Sequence, residues 1–248
     1  MPTFGAVVLS LRDMTDLTEC LKSVAWADEV LLLHAGAAPE IGGGEFPSLR
    51  IRGIRSLAQA KKHFGEMGTD WILQLWADER VDAELARELR ALCHDGSQNG
   101  PDSYRIAVRS HILGEWVEGS VSGPSPAVRL SRKIEEMPLG WWTEGRSVPR
   151  FARGRIEDYG CSNLGRAVER VQDLSDFWAE HLREIDSPPG SMTAVLCSLK
   201  IFLKTLVRNR IFSRGLAGIA LSALASYAVL LSGAKLWEAK HVGAKRRT

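Results

Sequence analysis

Residues 70–92 read Asp70-Trp71-Ile72-Leu73-Gln74-Leu75, then Trp76-Ala77-Asp78-Glu79-Arg80-Val81, then Asp82-Ala83-Glu84-Leu85-Ala86-Arg87-Glu88-Leu89-Arg90-Ala91-Leu92. The first block is a short apolar run of strand length, and the last block, Asp82 to Leu92, has helical spacing. The polar step between them is where a strand would hand over to a helix. The same alternation extends toward the N-terminus. Phe4 to Leu11 is an apolar run, and Asp16 to Ala25 places Leu17, Leu21 and Val24 on one helical face. Glu29 to Leu33 is a second run, and Leu49 to Arg52 a weaker third. Ser56 to Met67 has helical spacing with Ser56 as its N-cap. Alternating strands and helices imply an α/β fold, a mostly parallel sheet with helices on its faces. Ligands of such sheets bind beyond the carboxyl ends of the strands. Here those ends are Ser10, Arg12, His34, Trp76, Ala77 and Asp78.

The rest of the chain changes character. Tyr104 to Arg109 and Ala127 to Leu130 read as strands, which adds antiparallel pairing. Gly114 to Pro126 is rich in Gly, Ser and Pro and reads as irregular, and Gly140 to Gly145 as a loop. Ser162 to Arg183 and Ser191 to Arg210 have helical spacing, separated by Ser187-Pro188-Pro189-Gly190. The expected organisation is therefore 1–103 as an α/β part, 104–186 as a further part of the same domain, and 187–248 as a helical, basic tail.

Composition narrows the function classes. The 248 residues are 45% hydrophobic and 25% charged, a globular balance that excludes a disordered or collagen-like chain. The net charge is only +2, so nucleic acid is not an expected partner. Cys20, Cys93, Cys161 and Cys197 include no CxxC pair, which argues against a zinc site and a disulfide framework. The opening MPTFGAVVLSLRD reads as a first strand rather than a secretory leader, so the expected compartment is the cytoplasm.

Charge is segregated at one place. From Lys200 onward there are ten Lys and Arg residues and one acid, Glu238. Between them Gly215 to Ala234 runs 20 residues without a charge. That length suits a bilayer span, a buried helix, or a helix resting on a membrane surface. Basic flanks on both sides suit an anionic cytoplasmic leaflet, and the expected location is peripheral, at the inner face of the cytoplasmic membrane.

Several of these pieces, in order along nearly the whole chain, resemble family 2 glycosyltransferases of the lipopolysaccharide-core type. They are LSLRDMTDLTECLKSVAWADEVLLLHAG (9–36), AQAKKHFGE (58–66), DWILQLWADERVDAELARELR (70–90), YRIAVRSHILGEWV (104–117), AVRLSRK (127–133), WWTEG (141–145) and the apolar segment 215–238. The resemblance implies a GT-A type fold with a C-terminal helical extension, in which 1–103 is the nucleotide-sugar-binding part, 104–186 the acceptor-side part and 187–248 a membrane-associated tail. It also implies transfer of a sugar, with inversion, from a nucleotide-sugar donor to a lipid-linked oligosaccharide or lipopolysaccharide-core acceptor. Departures fall on the donor side: His34 stands for the family's base-binding Asp, Trp76 for the first carboxylate of its Asp-Ala-Asp motif, His63 for an Asn, and Leu11-Arg12-Asp13 for its opening turn.

The chemistry follows from the leaving group. A departing nucleoside diphosphate accumulates negative charge, which a site offsets with positive charge, commonly a divalent cation. Asp78 matches the family's metal-binding carboxylate and would hold Mg²⁺ or Mn²⁺; otherwise it caps the following helix. Glu144 matches the family's Glu and would take the proton of the acceptor hydroxyl; otherwise it is a surface glutamate beside Trp141 and Trp142. Lys62 would meet a phosphate, or lie on a solvated helix face. Arg129 would contact phosphate or sugar, or serve as a structural ion-pair partner. His34 would meet a base edge, or bond locally. Trp76 would stack on a ring. The competing reading is a non-catalytic relative acting as a scaffold in envelope polysaccharide assembly, which the altered His34 and Trp76 positions favour.

Overall fold

The computed structural model of the chain describes residues 3–11, 16–39, 41, 45–94, 101–122, 127–132, 150–184, 188, 190–208 and 215–245. The chain divides into two compact units, Met1–Arg109 with Ser125–Tyr159, and Ser110–Pro124 with Gly160–Thr248.

In the first unit the expected alternation is present. It runs β1 (Phe4–Ser10), α1 (Leu17–Ser23), β2 (Glu29–His34), β3 (Leu49–Gly53), α2 (Leu57–Gly65), β4 (Trp71–Trp76), β5 (Glu79–Val81) and α3 (Ala83–His94). The sheet order begins β3-β2-β1-β4, and these pairings are all parallel. Beyond β4 the sheet turns antiparallel through β8 (Ala127–Ser131) and β6 (Ser103–Ile112), then β9 (Arg150–Asp158) and β5. This is the mixed α/β architecture the sequence implies.

Both parities of β1, β2 and β4 are buried, as in parallel strands covered on both faces. Val8, Leu32, Leu73 and Leu75 pack in one cluster with Leu17 and Leu21 of α1 and Leu85 and Leu89 of α3. Register is pinned at the strand starts. Asp70 accepts from the Thr3 amide at 2.7 Å and its hydroxyl at 2.9 Å, aligning β4 with β1. Asp82 accepts from the Leu85 amide at 2.7 Å and so opens α3. At Gly154 the backbone of β9 lies against α3, where an added Cβ would sit 2.3 Å from Leu85 Cα.

The second unit holds α4 (Leu164–Glu184), α5 (Ser191–Arg208), α6 (Gly215–Lys245) and β7 (Glu115–Glu118), which pairs with β6. The sequence reads residues 114–126 as irregular. Instead, Leu113 and Gly114 take φ of 51° and 80°, the two positive values of a tight hairpin turn, and the chain folds back as β7. Asn163 accepts from the Arg166 amide at 2.9 Å and starts α4. α6 packs on α4 and α5. Lys235 of α6 donates to Asp176 of α4 at 2.6 Å, and a Cβ at Gly233 would fall 2.3 Å from Ala194 Cβ of α5. The uncharged segment 215–234 is therefore the larger part of one 31-residue helix.

Candidate functional site

The parallel register lines up one edge of the sheet. Ser10 pairs with His34, His34 with Gly53, and Leu9 with Trp76, so four strands end at one level. The backbone continues past that level by the same ladder: Ala35 donates to Ser10 O, Ile54 to His34 O and Ala77 to Leu9 O, at 2.8–2.9 Å. Beyond the ends of β2 and β3 lies a cleft of about 600 Å³, lined by His34, Ala35, Gly36, Gly53, Ile54, Arg55 and Gln59. It occupies the position that strand polarity assigns to a ligand in an open parallel sheet.

Local structure fixes its walls. Ser56 is the N-cap of α2, its hydroxyl accepting from the Gln59 amide at 3.5 Å. Gln59 Oε1 in turn accepts from the Arg55 amide at 2.8 Å. This reciprocal pair holds residues 55–59 as one turn. His34 Nδ1 lies 2.9 Å from Gly36 O. A carbonyl oxygen only accepts, so Nδ1 carries the proton and the neutral ring keeps Nε2 as an acceptor. The ring lies over Gly53, whose added Cβ would stand 3.6 Å from Nε2.

The β4–β5 turn is closed. Trp76 is 3% exposed and Asp78 is 1% exposed. Asp78 O accepts from the Tyr159 amide at 2.9 Å, tying the turn to the end of β9. Glu79 is fully buried and takes two hydrogen bonds, from the Trp76 amide and from Arg129 Nη2, each at 2.8 Å. Burial pushes the Glu79 carboxyl up to about 7; the Arg129 guanidinium opposes that shift, and Asp158, its register partner on β9, adds to it.

The predicted residues therefore separate. Ser10 and His34 stand on the strand-end edge, and His34 lines the cleft. Lys62 is exposed on α2 and is not among the residues lining the cleft. Trp76 is covered, so β4 presents no open indole face for stacking. Arg129 is buried against Glu79, the structural ion pair that was its alternative reading. Arg12 and Glu144, with Trp141 and Trp142, lie outside the described residues. Sequence reading missed Arg55 and Gln59. Their signal was the Ser56-x-x-Gln59 spacing directly after a strand that ends in Gly53.

The expected cation can be tested against the donor set. Among the described residues no group of three or more His, Cys, Asp or Glu side chains could hold a metal ion. Asp78 offers one carboxylate. One carboxylate could serve a Mg²⁺-type site that draws its other ligands from phosphate and water, but Asp78 is buried in the closed β4–β5 turn and is open to neither as it stands.

No protein-family model matches the chain. Its fold is similar to two solved structures of S. aureus TarS. To the structure of TarS residues 1–349 it is 10% identical with a TM-score of 0.43, covering 97% of this chain and 92% of that one. To a longer TarS structure the values are 10% and 0.43, over 86% of this chain and 46% of that one, so the chain spans about half its length. Function has to come from the residues of the site.

Proposed function

We propose that the protein is an inverting glycosyltransferase that takes a sugar from a nucleotide-sugar donor. The observation that carries this reading is the cleft at the ends of β2 and β3, lined by both His34 and Arg55. A nucleobase fits between the His34 ring and the Arg55–Gln59 turn. His34 Nε2 would accept from a base N–H, the ring N–H of uracil or guanine or the amino group of adenine or cytosine.

The diphosphate then extends along the strand-end edge past Ser10 toward Asp78. Asp78 would hold a divalent cation, Mg²⁺ or Mn²⁺, which would supply charge for the leaving group; the closed β4–β5 turn would have to open to admit it. Glu144 takes the proton from an acceptor hydroxyl. The acceptor oxygen attacks the anomeric carbon from the face opposite the diphosphate, the bond from that carbon to the diphosphate oxygen breaks, and the nucleoside diphosphate leaves with the electron pair. The acceptor in this reading is a lipid-linked oligosaccharide or lipopolysaccharide core. Lys62 contributes positive potential near the donor phosphates rather than a contact.

The test is release of nucleoside diphosphate from a panel of nucleotide sugars, with and without Mn²⁺. Turnover is expected with at least one of these donors and is expected to be lost in Asp78→Ala and Glu144→Gln. Turnover untouched by both substitutions would overturn the assignment of roles. A second reading has its own observation: Trp76 and Asp78 are closed and Arg129 is committed to Glu79. A non-catalytic relative that keeps the base cleft and serves as a scaffold in envelope polysaccharide assembly predicts binding without release.

A further inference from the structure

Two neighbouring helices of the second unit keep an apolar face outward. On α5 the outward residues include Met192, Leu196, Leu199 and Leu203, at helical spacing, and Leu196 is 59% exposed. On α6 they include Leu216, Tyr227, Leu230 and Trp237, and Leu216 is 73% exposed. From Leu216 to Trp237 the stripe runs about 30 Å at helical rise. The opposite side of α6 is buried through Leu221, Leu224, Ala228 and Val229. Apolar stripes of this length on two helices that pack together mark a contact site.

We propose that α5 and α6 lie in the plane of an anionic lipid leaflet, with these two stripes in the headgroup and acyl boundary. Charge identifies the occupant. α5 carries no acidic residue, and from Lys200 onward Glu238 is the single acid against ten Lys and Arg. Lys200 and Lys204 are on α5 itself, and Lys240 follows the apolar part of α6. Cationic side chains around an apolar face are complementary to an anionic surface. A second protein helix suits the face less well. Helix seams in water are rimmed by charged residues, and α6 has none between Gly215 and Ala234.

The packing also sets the orientation. α6 is long and apolar enough to cross a bilayer. However, it packs along α4, which carries Glu169, Asp173, Asp176, Glu180 and Arg183. Lys235 is bonded to Asp176 of that helix at 2.6 Å. A crossing α6 would draw those charges into hydrocarbon, and an in-plane α6 leaves them on the water side. This inference does not depend on the donor site.

The experiment is flotation of the full chain with vesicles of phosphatidylcholine alone or mixed with phosphatidylglycerol. The chain is expected to float with the mixed vesicles, not with the neutral ones, and to be released by alkaline carbonate. Leu199→Glu combined with Leu230→Glu is expected to abolish flotation. Lys200→Gln combined with Lys240→Gln leaves the apolar stripes intact and is expected to weaken partitioning at least about tenfold. Brominated acyl chains are expected to quench Trp fluorescence in the wild type and less in Trp237→Phe. Absence of flotation with either vesicle overturns the proposal, and equal flotation with both overturns its anionic component. Resistance to carbonate overturns the in-plane orientation. A lipid-free dimer by light scattering that the two glutamates dissociate assigns the face to a second copy instead, and overturns it.

Discussion

Glu79 and Arg129 form a closed ion pair, with Arg129 Nη2 donating to Glu79 Oε1 at 2.8 Å and both side chains buried. The second carboxylate oxygen accepts from the Trp76 amide, so one acid ties the end of β4 to β8. Removing one partner of such a pair leaves the other charge uncompensated. Arg129→Met is therefore expected to destabilise the protein by about 3 kcal/mol. Combining it with Glu79→Gln should return much of that loss, because neither member of the pair is then charged. Urea unfolding of the two single variants and the double variant checks this; equal and additive losses would show that the two groups do not interact.

The same carboxyl gives stability a pH dependence. Its ordinary value is 4.5, and burial raises it to about 7 in the folded chain. Between those values the native state binds more protons than the unfolded state, so this group's contribution is fully present below 4.5 and declines as pH rises through about 7. Glu79→Gln should flatten that decline. Denaturant midpoints taken across the interval test it, and an unchanged slope would remove Glu79 as its source.

Gly154 sits where α3 meets β9. A methyl group there would overlap the Leu85 backbone, and the Gly154 amide also donates to Glu88 Oε2 at 2.9 Å. Gly154→Ala should cost about 1–3 kcal/mol, since a backbone, not a flexible side-chain tip, must move. Thermal melts give the sign directly.

Leu113 is the opposite case. It holds a φ of 51° in the β6–β7 turn with its side chain exposed. Asn adopts this conformation more readily and prefers this kind of hairpin turn. Leu113→Asn should stabilise the protein by about 0.5–1 kcal/mol, visible as a rise in Tm; a fall would mean that the leucine side chain has a packing role.

The parallel half was legible because its strands are short apolar runs and its helices carry period and caps. Ser56 and Asp82 mark helix starts in both sequence and structure. β5 and β9 were not legible. Glu79-Arg80-Val81 is three residues long, and Arg150–Asp158 is charged at five of its nine positions, so neither shows a strand period. β7 was hidden for a different reason: Leu at a left-handed turn position is a poor turn signal. In the site, His34 was readable as a strand-end residue. Arg129 was not, because a buried arginine and a ligand-binding arginine look alike until the acid opposite is known. Arg55 and Gln59 carried only a capping signal, and what they line depends on the β2–β3 register.

The central claim is that the cleft at the ends of β2 and β3 receives a nucleobase through His34 Nε2. Calorimetric titration with uridine, guanosine and adenosine diphosphates, in wild type and His34→Ala, tests it most directly. The account predicts that at least one of the three binds and that its affinity falls about tenfold or more without Nε2. An affinity that the substitution leaves unchanged, or no binding of any of the three with or without Mn²⁺, would contradict it.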